Sequence, residues 1–204
     1  MDDLHKALGD ISSIRRQVAR STEFRGYGPA TLAATGVFAL AASGVQAVWV
    51  PAPAQQMGRY LTLWIATAVL SASLTGVQMY TRSRRMHSGM SDEMIRMAVE
   101  QFLPAVGAGL LLTIVLSQTT PAAAWMVPGL WQVVFSLGIF SSCRFLPRPI
   151  FAAGAWYLLT GLCCIGLGGS RALSPWAMAI GFGAGQLLVA AILFFSAKES
   201  GDEG

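Results

Sequence analysis

The sequence predicts an all-α membrane protein of six transmembrane helices, laid out as three hairpins behind an N-terminal amphipathic helix. Three observations carry that prediction. Of 204 residues, 54% are apolar and only 12% charged, against roughly 45–50% and 25% in a soluble domain. The apolar residues gather in runs that approach or exceed the roughly 20 needed to cross a bilayer. The charges fall almost entirely on one side of the topology those runs define. This balance excludes a soluble enzyme, a nucleic-acid reader and a secreted disulfide scaffold. The longest polar stretch, residues 1–28, leaves no room for a separate soluble domain.

That first stretch reads as a helix. Leu4, Leu8, Ile11, Ile14 and Val18 recur at 4-3-3-4 spacing and draw one apolar stripe. Asp2 and Asp3 stand in the first turn and Arg15, Arg16 and Arg20 near the end, which suits the helix dipole. Such a helix is expected to lie on the inner leaflet with its arginines on anionic head groups, or to dock on a partner. The first apolar run is long enough to span and is expected to be retained, not cleaved as a leader.

Six spans follow, at about 29–50, 60–80, 103–117, 125–142, 150–167 and 177–196, and then a tail of residues 197–204. The third is short. A cytoplasmic helix over 91–102, with Ser91 as N-cap and Asp92 and Glu93 in its first turn, is expected to run into it through Pro104 and supply length. Asp92–Arg96 and Arg96–Glu100 are i,i+4 pairs on that helix, and Glu100 with Gln101 is its most membrane-proximal polar pair.

Basic residues set the direction. Lys6, Arg15, Arg16, Arg20 and Arg25 precede span one. Arg82, Arg84, Arg85 and Arg96 lie in the second loop, Arg144 and Arg148 in the fourth, and Lys198 in the tail, twelve in all. The alternate loops hold only Arg59 and Arg171. Twelve against two places both termini in the cytoplasm by the positive-inside rule, in a membrane of the bacterial inner type. All ten acids agree, since each lies in the N-terminal segment, the second loop or the tail. Trp49, Tyr60, Trp64, Trp125 and Trp176 mark the outer interface.

Within the six segments there is no charged residue and no histidine; His5 and His87 both lie outside them. A proton relay, a retinal Schiff base, a haem ligand pair and an H-E-x-x-H metalloprotease each need such groups in the membrane. The remaining polar groups are hydroxyls and amides. Gln46 and Gln78 stand near span ends and are expected to reach water. Gln132 and Gln186 lie deeper and need partners on other helices, either as interhelical hydrogen bonds or as the lining of a path for a small neutral solute.

Small residues stand at packing intervals. Thr35, Ala39, Ser43 and Ala47 step by four along span one, while Leu40 interrupts a second row between Gly36 and Gly44. Gly181 and Gly185 form a GxxxG ahead of Gln186, which permits close backbone approach within the bundle or between copies. With no preceding strand and no GK[ST], this run is not a nucleotide loop. Cys143, Cys163 and Cys164 include no C-x-x-C and no nearby histidine, so neither a soft-metal site nor a structural disulfide is expected, and no cofactor is called for. The frame G-A-x-x-L-L-T recurs at 107–113 and 154–160, each in an ascending span, which suggests repeated hairpins.

Two functions fit these residues. The first is a non-enzymatic accessory, assembly or regulatory subunit that works through contacts, with a homo-oligomer or a membrane partner as its companion. Leu4, Leu8, Ile11, Ile14, Val18, Arg15, Arg16, Arg20 and Glu100 are its candidate partner or lipid contacts. The second is an oligomeric channel or facilitator for a small neutral solute, with Gln132 and Gln186 as candidate pathway groups. An interfacial enzyme would have to use Glu23, Arg25, Glu100, Arg144 or Arg148, and no motif gathers them.

Overall fold

A computed structural model describes residues 28–86, 89–143 and 149–202, with side chains described outside 82–99, 101, 197 and 199–202. Among the described residues every regular element is helical. The order is α1 Pro29–Trp49, α2 Met57–Met86, α3 Gly89–Thr119, a 3₁₀ lead-in Pro121–Met126, α4 Val127–Ser142 and α5 Ile150–Leu167. Two short helices, α6 Gly169–Ala172 and α7 Pro175–Met178, precede a π-helical segment Ala179–Ala184 that passes into α8 Gly185–Asp202. The N-terminal stripe from Leu4 to Val18, with Arg15, Arg16 and Arg20, lies outside the described residues.

Among the described residues six stretches are long and apolar enough to cross a membrane: Pro29–Trp49, Met57–Thr81, Phe102–Thr119, Pro121–Ser142, Ile150–Leu167 and Pro175–Ser196. They reproduce the expected spans to within a few residues. Span three does obtain its length from the helix before it, since α3 runs unbroken for 31 residues with Pro104 inside. It begins at Gly89, two residues ahead of the expected cap. Prolines open several spans where no intrahelical N–H is needed, Pro29 in α1 and Pro175 in α7 among them.

Consecutive spans pack as antiparallel pairs: α1 with α2, α3 with α4, and α5 with the π segment and α8. The tightest seam, however, joins α4 to α5 across two hairpins. Its cause is a reciprocal glycine contact. A Cβ on Gly129 would stand 2.8 Å from the Gly161 carbonyl oxygen, and one on Gly161 would stand 2.8 Å from that of Gly129. In lipid, where apolar contact alone gives helices no reason to leave the tails, such close approach is a main source of association. A second crossing joins α1 to span six, where Gly36 meets the Gly183 carbonyl and Leu187, and Gly183 meets Leu40. Thr35, Ala39 and Ser43 of the α1 row are buried at this side, while Ala47 is exposed.

The bundle therefore has a core of four spans, α1, α4, α5 and span six, of which a third or more is buried. The α2 span is 11% buried and the α3 span 6%. These two lean on α1 and α4 respectively and barely meet each other.

Two hairpins are pinned in the same way. Trp64 Nε1 donates to Gln46 Oε1 at 2.8 Å, and Trp131 Nε1 donates to Thr113 Oγ1 at 2.8 Å, in each case to a residue 18 positions earlier. The third hairpin departs from the pattern, because Trp156 of α5 donates forward to the Ile180 carbonyl at 3.1 Å.

Candidate functional site

Polar groups inside the bundle form two clusters, one under the loops that follow α1 and α5 and one at mid-span. The first is built around Gln46, which is fully buried. Its Nε2 donates to the Leu173 carbonyl at 2.8 Å while its Oε1 accepts from Trp64. Leu173 lies in the turn between α6 and α7, where a carbonyl has no helical successor to accept from. Gly168 and Gly169, at φ 67° and 52°, let the chain double back there. The expectation that Gln46 reaches water is corrected: the connection of residues 168–174 folds over it, and protein groups take both ends of the amide. Cys164 Sγ, beneath the same turn, contacts the Ala172 carbonyl at 3.4 Å. Gln56 Oε1 and the hydroxyl of fully buried Tyr60 have no partner in this cluster among the described residues.

Gln78, expected to reach water, is covered only in part. It is half-buried, and its Oε1 accepts from the Gly28 N–H at 3.3 Å, capping α1 from the neighbouring helix. Gly28 has no side chain of its own with which to cap.

The second cluster surrounds the π segment. Gln132 is fully buried, and its Nε2 reaches the Ala177 carbonyl at 3.4 Å. Gly181 makes room for this amide: a Cβ there would collide with Gln132 Cδ and Oε1. One turn on, Gly185 makes room for Tyr157, whose Oη would stand 2.8 Å from such a Cβ. The GxxxG thus serves packing within the bundle, against side chains from α4 and α5. Phe135, Tyr157 and Phe182 close a triangle of rings at centroid separations of 4.8, 5.5 and 5.5 Å. A π segment changes which carbonyls face outward, and here Ile180 within it accepts from Trp156 of α5, while Ala177, on α7 just ahead of it, accepts from Gln132 of α4. Gln132 Oε1 and the Tyr157 hydroxyl, both buried, have no partner among the described residues.

Of the candidate pathway groups, Gln132 is inside the bundle and Gln186 is half-buried on α8. No hydrogen bond joins the two among the described residues. Tyr157, absent from the sequence reading, belongs with Gln132 instead. Its signal was position: tyrosine ordinarily marks an interface, and this one stands at mid-span. Glu100, the described member of the candidate contact set, is exposed on α3.

The outward faces of α2 and α3 differ in kind. On α3, Leu103, Val106, Leu110, Leu111, Ile114 and Val115 are exposed, a bulky surface suited to lipid tails. On α2, Thr62, Ala66, Ala68, Ala72, Ser73 and Gly76 are exposed alongside the bulkier Ile65, Val69, Leu70, Val77 and Tyr80. A Cβ on Gly76 would touch nothing, and the Ser73 hydroxyl has no hydrogen bond among the described residues.

All three cysteines are free, Cys143 and Cys163 at least partly exposed and Cys164 buried. Burial pushes the Cys143 thiol above its ordinary pKa. Among the described residues no group of three or more His, Cys, Asp or Glu is placed to hold a metal. No protein-family model, no curated protein and no solved structure matches this chain.

Proposed function

We propose that this chain works through contacts, as an accessory, assembly or regulatory subunit that docks a membrane helix of another chain on the outward face of α2. The observation that carries the reading is the contrast between α2 and α3. Both stand at the margin of the bundle and both expose bulky apolar residues, but α2 also exposes Thr62, Ala66, Ala72, Ser73 and Gly76, where α3 exposes only Ala108 and Thr119 of that size. Lipid tails gain nothing from such a furrow, whereas a second helix can approach closely along it and accept or donate a hydrogen bond at Ser73. Nothing on this face performs chemistry, and the function is not enzymatic.

The charged side of the chain completes the proposal. With both termini in the cytoplasm of an inner-membrane protein, the Leu4–Val18 stripe lies on anionic lipid or on the same partner. The twelve-to-two distribution of basic residues supports that orientation.

Site-directed cross-linking tests the docking face. In a background with Cys143, Cys163 and Cys164 replaced, Ser73→Cys is expected to give an adduct with a second polypeptide in native membranes, and Val106→Cys on α3 is not. Equal capture at both positions, or at neither, contradicts the assignment. Deleting residues 1–22 is expected to weaken partner retention while the six spans still insert.

A further inference from the structure

We propose that Gln132 and Tyr157 form a binding site for one small, neutral, hydrogen-bonding molecule in the middle of the bilayer. The proposal stands apart from the docking face of α2.

Both side chains are fully buried, and each has a polar atom with no partner among the described residues, Gln132 Oε1 and the Tyr157 hydroxyl. They come from different helices, α4 and α5, and converge on the same face of span six. Gly181 lies under one and Gly185 under the other, about 5–6 Å apart along the helix. That separation is about what a single molecule bridges when it hydrogen-bonds at both ends. An orphaned polar group in a hydrocarbon interior costs several kcal/mol, and an unoccupied site would incur that cost twice within one turn.

The surroundings define the ligand. Gln132 Oε1 can only accept, so the ligand must present an N–H or O–H. The Tyr157 hydroxyl can donate or accept. The only charged residue within the six spans is Arg59, in the first turn of the α2 span, so an ion at mid-span would find no counter-charge. Phe135 and Phe182 pack their rings against Tyr157, so the ligand must be small, of the order of water, urea or a short alcohol. The Gln132 amide is held in place by its own second bond to the Ala177 carbonyl. That acceptor lies on α7, two residues ahead of the π segment that carries Gly181.

The sign of one substitution tests this. Tyr157→Phe removes only the hydroxyl. If that hydroxyl is an orphan, its removal relieves a penalty and raises the unfolding temperature. With a bound molecule, the substitution lowers the unfolding temperature of the full chain in nanodiscs. The isosteric Gln132→Met, which also loses the bond to Ala177, lowers it further, and in the double variant the two losses are less than additive because one molecule connects them. A rise with Tyr157→Phe, or strict additivity, overturns the site. Osmotic swelling of proteoliposomes in urea and in glycerol separates the sources of the ligand. Flux above empty vesicles that Tyr157→Phe reduces several-fold assigns the site to a permeating solute. Flux equal to empty vesicles, with the unfolding shift present, assigns it to a resident water.

Discussion

Gln46 shows what position along a sequence conceals. It lies four residues from the end of its run, and by that measure water should reach it. Instead it ties α1 to α2 through Trp64 and to the α6–α7 turn through Leu173. Because replacing it orphans both partners in a dry interior, Gln46→Leu is expected to cost about 2–4 kcal/mol. Thermal unfolding in detergent or nanodiscs measures the loss, and Gln78→Leu, which removes one half-buried bond to the start of α1, should cost well under half as much. Gln132 was legible from the sequence because an amide at mid-span has no solvent alternative. Tyr157 was not, because an aromatic ring inside an apolar run passes as core packing. Cys143 offers a different readout. Its raised pKa leaves less thiolate at neutral pH, so labelling should accelerate as pH rises beyond the ordinary thiol range. A membrane-impermeant maleimide should reach it in inside-out vesicles and not in right-side-out ones; the reverse would invert the proposed orientation.

At the scale of elements, the six spans were readable because each is one uninterrupted apolar run, and hydropathy needs no neighbour to interpret it. Their partners were not readable. The repeat frame at 107–113 and 154–160 suggested equivalent hairpins, and both threonines bond back to the carbonyl four residues earlier, yet only Thr113 also accepts from a tryptophan of the next helix, Trp131. The seam between α4 and α5 rests on Gly129 and Gly161, which the sequence does not distinguish from the other twenty glycines. Steric contact does distinguish them. Gly161→Ala forces a methyl against the Gly129 carbonyl and should cost about 1–3 kcal/mol, while Gly166→Ala, facing open space, should be neutral or slightly stabilising. Unfolding temperatures of the two variants, measured side by side, check the contrast. The π segment left no sequence signature beyond three glycines in alternate positions, because a single wide turn barely disturbs the apolar pattern.

The whole molecule is asymmetric. Four spans share a core with glycine crossings and two internal polar clusters, and two spans stand at its margin with little of their surface buried. More than half of the residues in each marginal span are exposed, to lipid or to another protein, and their outward residues differ: leucine, valine and isoleucine dominate on α3, while α2 mixes bulky residues with small ones. Orientation, by contrast, comes from charge alone, and twelve basic residues against two are its whole basis. The most direct measurement is native mass spectrometry of the full chain, extracted gently from its own membrane. The account predicts a stoichiometric second polypeptide that dissociates when the small-residue face is disrupted by Gly76→Leu. A chain that leaves the membrane with lipid alone, or only with copies of itself, would contradict it.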